Sequence, residues 1–400
     1  MGVIQSATTD DVSAGGDSDP DFVFSSNGTV LRAFGVAHTL DTALDGDDFA
    51  GGRWDRRLSG IFDSLRAQGM ANPVVVGAVP FDCRQPARLF IPRRYSLNSL
   101  SDGAAASSAP PSAVAGVREV VDHSAYTAAV RRAIGLFTTT DLRKVVLSRP
   151  LDIDADGGFA PARLVDALLQ QNPTAYVFSV PVGQGEHLIG ASPELLLRKV
   201  GRTVLSNPLA GSARRGGPAH EEQARRDALL ASEKDRIEHR YVVDAVRDAL
   251  APHCRTLSVP DEPEALSTPT MWHLSTRVTG ELADDGLSPL RLAHALHPTP
   301  AVCGTPHALA HEAIGALEGY ARGWYSGMVG WMDSHGCGEW AVTIRCGLVS
   351  GTRLRLYAGA GIVAHSCPEA EWEETAAKLR TMLNLFGLGG AAPAAAGCGA

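Results

Sequence analysis

Between residues 175 and 206 the chain passes through short apolar segments at 175–181, 186–190, 194–199 and 203–206, joined by turns too short to hold a helix. Parallel neighbours need a crossover of about a dozen residues or more, so segments this close together favour antiparallel pairing. The pattern returns at 327–332, 339–349 and 353–359, and further strands are expected at 144–149, 72–81 (NPVVVGAVPF) and 87–95 (ARLFIPRRY). Helical periodicity covers 123–138 and 219–250, the second with apolar positions at Leu229, Leu230, Ile237, Val242, Val246 and Leu250. The expected fold class is therefore α+β, with large antiparallel sheets flanked by helices.

Three segments read as unstructured: a tail over 1–18, a linker or loop over 101–116 (SDGAAASSAPPSAVAG) and a flexible tail over 387–400. They leave an N-terminal part, 19–100, and a larger domain, 117–386. A net charge of −8 argues against a nucleic acid or an anionic membrane as partner, because both require basic surfaces. No apolar run reaches the length of a membrane span, and the acidic N-terminus lacks the features of a signal peptide, so a cytoplasmic protein is expected. The 7 cysteines form no C-x-x-C pair and are expected to be mostly reduced packing residues.

Two acidic patterns carry chemistry. In SEKDRIEHR (232–240), Asp235 and Glu238 share one helix face. In PEAEWEETAAKLR (368–380), Glu371 and Glu374 do the same, with Lys378 one turn further on. Either pair could be a solvated helix face, but one on each of two helices also suits a shared hard cation held by oxygen ligands. RLRLYAGAGIVAH (353–365) is a strand with Gly359 and Gly361, either a plain hairpin or a backbone cradle for a carboxylate. It is not a dinucleotide fingerprint, since too little chain follows it. Arg345, between Ile344 and Cys346, needs a carboxylate partner from the protein or from a substrate. Lys144 opens the strand KVVLSR (144–149) and is either an edge charge or a buried amine.

Taken in order, KVVLSR (144–149), GASPELLL (190–197), NPLAGSARRG (207–216), SEKDRIEH (232–239), MWHLST (271–276), HPTPAVCGTP (297–306), GEWAVTIRCG (338–347) and AGAGIVAHSCPEAEWEE (358–374) resemble the chorismate-utilising enzymes. That family includes isochorismate, salicylate, anthranilate and aminodeoxychorismate synthases. The resemblance spans about residues 120–386, with 20–100 similar to the variable N-terminal part of such synthases. It implies a chorismate-binding fold, chorismate as a dicarboxylate substrate, and Mg2+ as cofactor. By the same resemblance Glu238 and Glu374 would ligate the metal directly, and Asp235 and Glu371 mainly through water. Arg345 would grip one substrate carboxylate. Backbone groups of Gly211, Ala360 and Gly361, with Lys378, would hold the other anionic end, while His273 and Tyr325 would flank the ring.

Lys144 is similar to the lysine that activates water in isochorismate and salicylate synthases, a position where ammonia-using members differ. Ala301, in HPTPAVCG, resembles isochorismate synthases, where the other branches carry threonine. Ile344 agrees, since salicylate synthases tend to have leucine there, whereas Tyr325 departs from the phenylalanine of some isochorismate synthases. The resemblance thus implies an isochorismate synthase, a hydroxymutase with no glutaminase subunit and expected to be a monomer. The alternatives are a salicylate synthase that goes on to eliminate pyruvate, or a non-catalytic chorismate-binding paralogue. Lys144 would take a proton from the water attacking C2, and Glu194 would protonate the departing C4 hydroxyl. A neutral lysine and a protonated glutamate lie far from their ordinary values of about 10.4 and 4.3, and burial moves both in the required direction.

Overall fold

In the computed structural model, residues 19–44, 46–49, 52–100 and 111–390 are described. The expected segments 1–18 and 101–110, and residues 391–400 of the expected C-terminal tail, lie outside them. Among the described residues all strand pairs are antiparallel, and seventeen strands join one hydrogen-bonded network, with three more in a small second sheet. The α+β expectation holds for the reason given above. Tyr176–Gly183 pairs with Glu186–Ser192 across a tight turn, and Leu195–Val200 pairs in the same way with Thr203–Asn207.

The N-terminal strands belong to this same network. Phe22–Ser26 pairs with Tyr176–Gly183, and Val74–Val79 pairs with Met328–Asp333 along its whole length. Val74–Val79 is buried throughout, which matches a run with no polar alternation. Its side chains share one core with Trp331, Met332 and Trp340.

The strand Lys144–Ala155 lies in the interior of the sheet. On one side it runs against Arg353–Ile362 from Arg353↔Asp154 to Ile362↔Val145. On the other it meets Val114–Glu119 and the short Gly304–Thr305. Lys144 is therefore no edge charge, and it is 0% exposed.

Three of the differences from expectation change how the chain is divided. The stretch 219–250 is two helices, Ala219–Ala231 and Glu233–Leu250, because Ser232 is extended and caps the second, accepting from the Asp235 N–H. The stretch 339–349 is broken into Gly338–Val342 and Cys346–Ser350, with Arg345 between them at φ 51°. Across that break the chain changes partners, from Leu195–Val200 and Met328–Asp333 to Glu186–Ser192 and Arg353–Ile362. The expected linker 101–116 ends inside a strand, since Val114–Glu119 fills the open ladder beside Lys144–Ala155. Most of its residues stay solvent-facing, so apolar alternation did not betray it.

Candidate active site

A pocket of about 500 Å3, counting its open mouth, is lined from several elements at once. Val146 comes from the Lys144 strand, Gly359 and Gly361 from Arg353–Ile362, Gly211 and Ser212 from Leu209–Arg214, and Glu238 from the helix Glu233–Leu250. Glu194, His273, Ala301, Tyr325, Ile344, Arg345 and Lys378 complete the set proposed from sequence that reaches this wall. Pro193, Leu209, Ala210, Ser212 and Val302 also line it, and the sequence reading did not name them. Their small or apolar side chains carry no chemical signal on their own.

Glycine is required at two of these positions. At Gly211, φ is 75°, and a Cβ would stand 2.9 Å from the Cβ of Asp235, so the bare backbone lets its strand approach the acidic helix. A Cβ on Gly361 would come within 2.1 Å of Glu238 Oε1 and 3.0 Å of Lys144 Cε. Gly361→Ala is accordingly expected to displace Glu238 and lower turnover by at least ~10-fold. Steady-state kinetics on the folded variant check this, and wild-type kcat would contradict it.

The position of Ala360 corrects an expectation. Lys378 Nζ donates to Gly359 O at 2.9 Å, so in the alternating ladder Gly359 and Gly361 turn their backbone groups away from the Lys144 strand. Ala360 stands opposite Leu147 in the intervening pair and gives its backbone groups to the sheet, while its side chain packs with Val145 and Leu147. An anion would therefore meet the backbone of the two glycines and not that of Ala360.

Glu194 follows Pro193 at the junction between Glu186–Ser192 and Leu195–Val200 and is 2% exposed. Burial pushes its carboxyl up to about 7, against the opposing pull of the Leu209 N–H, Lys144 and Arg345. Arg345, 8% exposed, has no carboxylate within ion-pair distance among the described residues, and burial lowers its pKa. Its Nη2 lies 3.2 Å from His273 Nε2. Arginine can only donate, so this His273 nitrogen is the acceptor and the ring is neutral. Burial and the neighbouring Arg345 and Lys378 cations, which hold His273 well below the usual imidazole range, agree. A left-handed, non-glycine arginine without an ion-paired carboxylate at a pocket wall is a strained, anion-seeking group.

Lys144 lies one layer behind the lining. Its Nζ is 3.1 Å from Glu238 Oε1, without hydrogen-bond geometry. The lysine is thus held against an acid that itself lines the pocket. The other carboxylates are held in a similar way. Glu371 takes Lys234 at 2.8 Å and Glu374 takes Lys378 at 2.6 Å. Burial, then the nearby Glu374 charge, raises Glu371 to about 7; burial would raise Glu374 too, but Lys378 and Lys234 pull it lower. Asp235 is raised by burial and by Glu238. Lys234 is an active neighbour that the sequence reading overlooked, although it sits within the SEKDRIEH motif.

Among the described residues, no three histidine, cysteine or acidic side chains are gathered in metal-binding geometry. The donor chemistry nevertheless fits a hard divalent cation. The four acids all offer oxygen donors, Glu238 raises Asp235 and Glu374 raises Glu371, and Glu371 Oε2 is buried with no hydrogen-bond partner.

The family described as chorismate binding enzyme matches residues 30–387. Isochorismate synthase EntC of Escherichia coli (strain K12) is 44% identical over 352 residues, covering 87% of this chain and 90% of that protein. The crystal structure of DhbC from Bacillus anthracis superposes with a TM-score of 0.85 at 41% identity, covering 92% of this chain and 96% of that one. The menaquinone-specific isochorismate synthase MenF of Escherichia coli has a TM-score of 0.76 at 25% identity, covering 92% and 88%.

Proposed function

The chain belongs to the chorismate-binding enzymes, and we propose a course for the reaction that its own residues support. It is an isochorismate synthase, an isomerase that converts chorismate reversibly to isochorismate. The observation that carries the mechanism is Glu194, a carboxyl raised to about 7 by burial and facing the same pocket as an arginine without an ion-paired carboxylate. Such a carboxyl keeps its proton near neutrality and can give it to a leaving hydroxyl.

Arg345, oriented by His273, takes one substrate carboxylate in its fork. Lys378 and the outward backbone of Gly359 and Gly361 face the other anionic end. Water adds at C2 as its proton passes to Lys144; the ring double bonds shift, and the C4 hydroxyl leaves with the proton of Glu194. The water added at C2 and the water lost from C4 balance. An ammonium has no lone pair to offer, so this step needs Lys144 as the neutral amine, its proton already lost before water attacks. Mg2+ is proposed as cofactor, with Glu238 and Glu374 as direct ligands and Asp235 and Glu371 acting through water, and when bound it would neutralise and orient substrate carboxylate.

A vibriobactin-specific isochorismate synthase is 38% identical and a menaquinone-specific one 25%, so the likeness carries the reaction and not the pathway. Among the described residues no helix is long and apolar enough to cross a membrane. The test is to incubate purified protein with chorismate and Mg2+ and separate the products. Isochorismate is expected, with turnover lost when EDTA replaces the metal. Salicylate formed without an added lyase would overturn the reading.

A further inference from the structure

Behind the pocket wall lies a polar cluster that the proposed chemistry does not use. Glu318, the last residue of the helix His307–Glu318, accepts from both the backbone N–H and the Oγ of Ser148 at 2.7 Å. It also binds Arg322 through Nε at 2.8 Å and Nη2 at 2.6 Å, a pair with side chains 1% and 2% exposed. Arg322 then donates Nη1 to Val302 O at 2.6 Å and Nη2 to Val146 O at 2.8 Å, with its guanidinium 4.7 Å from the Phe81 ring centroid. The Tyr320 hydroxyl closes the cluster at 2.6 Å from Ser148 Oγ.

These contacts fall on two pieces of pocket wall. Val146 and Ser148 stand two and four residues beyond Lys144 on the same face of its strand. Val302 lines the pocket directly after Ala301, and the Val146 N–H also donates to Cys303 O at 2.8 Å. A buried ion pair contributes little net stability compared with apolar packing, so stability alone is a weak reason for this one. Its planar fork does something apolar packing cannot, since it fixes two carbonyls from different segments at a set separation.

We propose that Glu318 and Arg322 are positioning residues, setting the distance between the strand that begins with Lys144 and the 299–303 turn, and so the place at which the base meets water. The proposal rests on the isochorismate synthase reading. Lys144 is engaged only in the chemical step, whereas Arg345 and Lys378 bind substrate from other elements. A displaced Lys144 strand therefore costs kcat and spares KM.

The test measures kcat, KM for chorismate and the melting temperature of wild type, Arg322→Lys and Ser148→Ala. Lysine keeps the positive charge near Glu318 but cannot hold both carbonyls in one plane. Arg322→Lys is expected to lower kcat by at least ~10-fold with KM within about twofold, and Ser148→Ala by ~3–10-fold, both folded at the assay temperature. If Arg322→Lys does not fold, Ser148→Ala decides the matter alone. Wild-type kcat in a folded variant, or a loss residing in KM, overturns the proposal. A wild type that makes no isochorismate refutes the functional reading instead, which keeps the two failures distinct.

Discussion

Lys144→Gln is expected to lower kcat for isochorismate formation by ~10²–10⁴-fold with KM for chorismate within a few-fold of wild type. The split follows from where the amine stands. Lys144 is fully buried and set behind the lining, so bound chorismate meets Arg345, Lys378 and the glycine backbone first. The lysine enters when water must lose a proton. Glutamine fills nearly the same volume and stays polar beside Glu238, so the effect reads as lost base and not as lost packing. Melting temperature checks that the variant is folded, and single-turnover measurement separates the chemical step from product release. Turnover within ~10-fold of wild type would remove Lys144 from the base role and leave it as the structural partner of Glu238.

How much of this was legible beforehand differs by residue. The antiparallel sheets were readable because the turns near 183–186 and 200–203 leave no room for crossovers. Arg345 was readable as a charge on a half-buried strand and Glu194 only through the family resemblance, and the structure places both at the pocket. The breaks at Ser232 and Arg345 were not readable. A serine within a helical pattern and an arginine within a strand pattern look ordinary until the tertiary fold demands a cap or a change of partner strand. The lysine partners of the acids were hidden for another reason. Lys234–Glu371 and Lys144–Glu238 join residues far apart in sequence, and no local spacing encodes them. Glu318 and Arg322 stand four residues apart in sequence and would pass for a surface pair; only the strand and turn packed over them make the pair a buried one.

Glu194→Gln is the counterpart of the first prediction and adds a pH signature. Glutamine keeps the shape of the acid but cannot release a proton, so kcat is expected to fall by ~10²–10⁴-fold. In wild type burial raises the carboxyl to about 7, hence kcat/KM should show a limb that declines as pH rises through about 7, and Glu194→Gln should lack that limb. Stability carries the same sign. A carboxyl whose folded value is raised contributes stability below its unfolded value and loses it as pH rises through the folded one. From about 4.5 to about 7, wild type should therefore lose stability relative to Glu194→Gln, by on the order of 3 kcal/mol once the acid is ionised. Glu371, also raised to about 7, titrates in both proteins, so its contribution cancels in the difference. Urea unfolding of both proteins at pH 5 and pH 8 measures that difference. A value independent of pH would mean that Glu194 is not held protonated by its burial, and the general-acid role would fall with it.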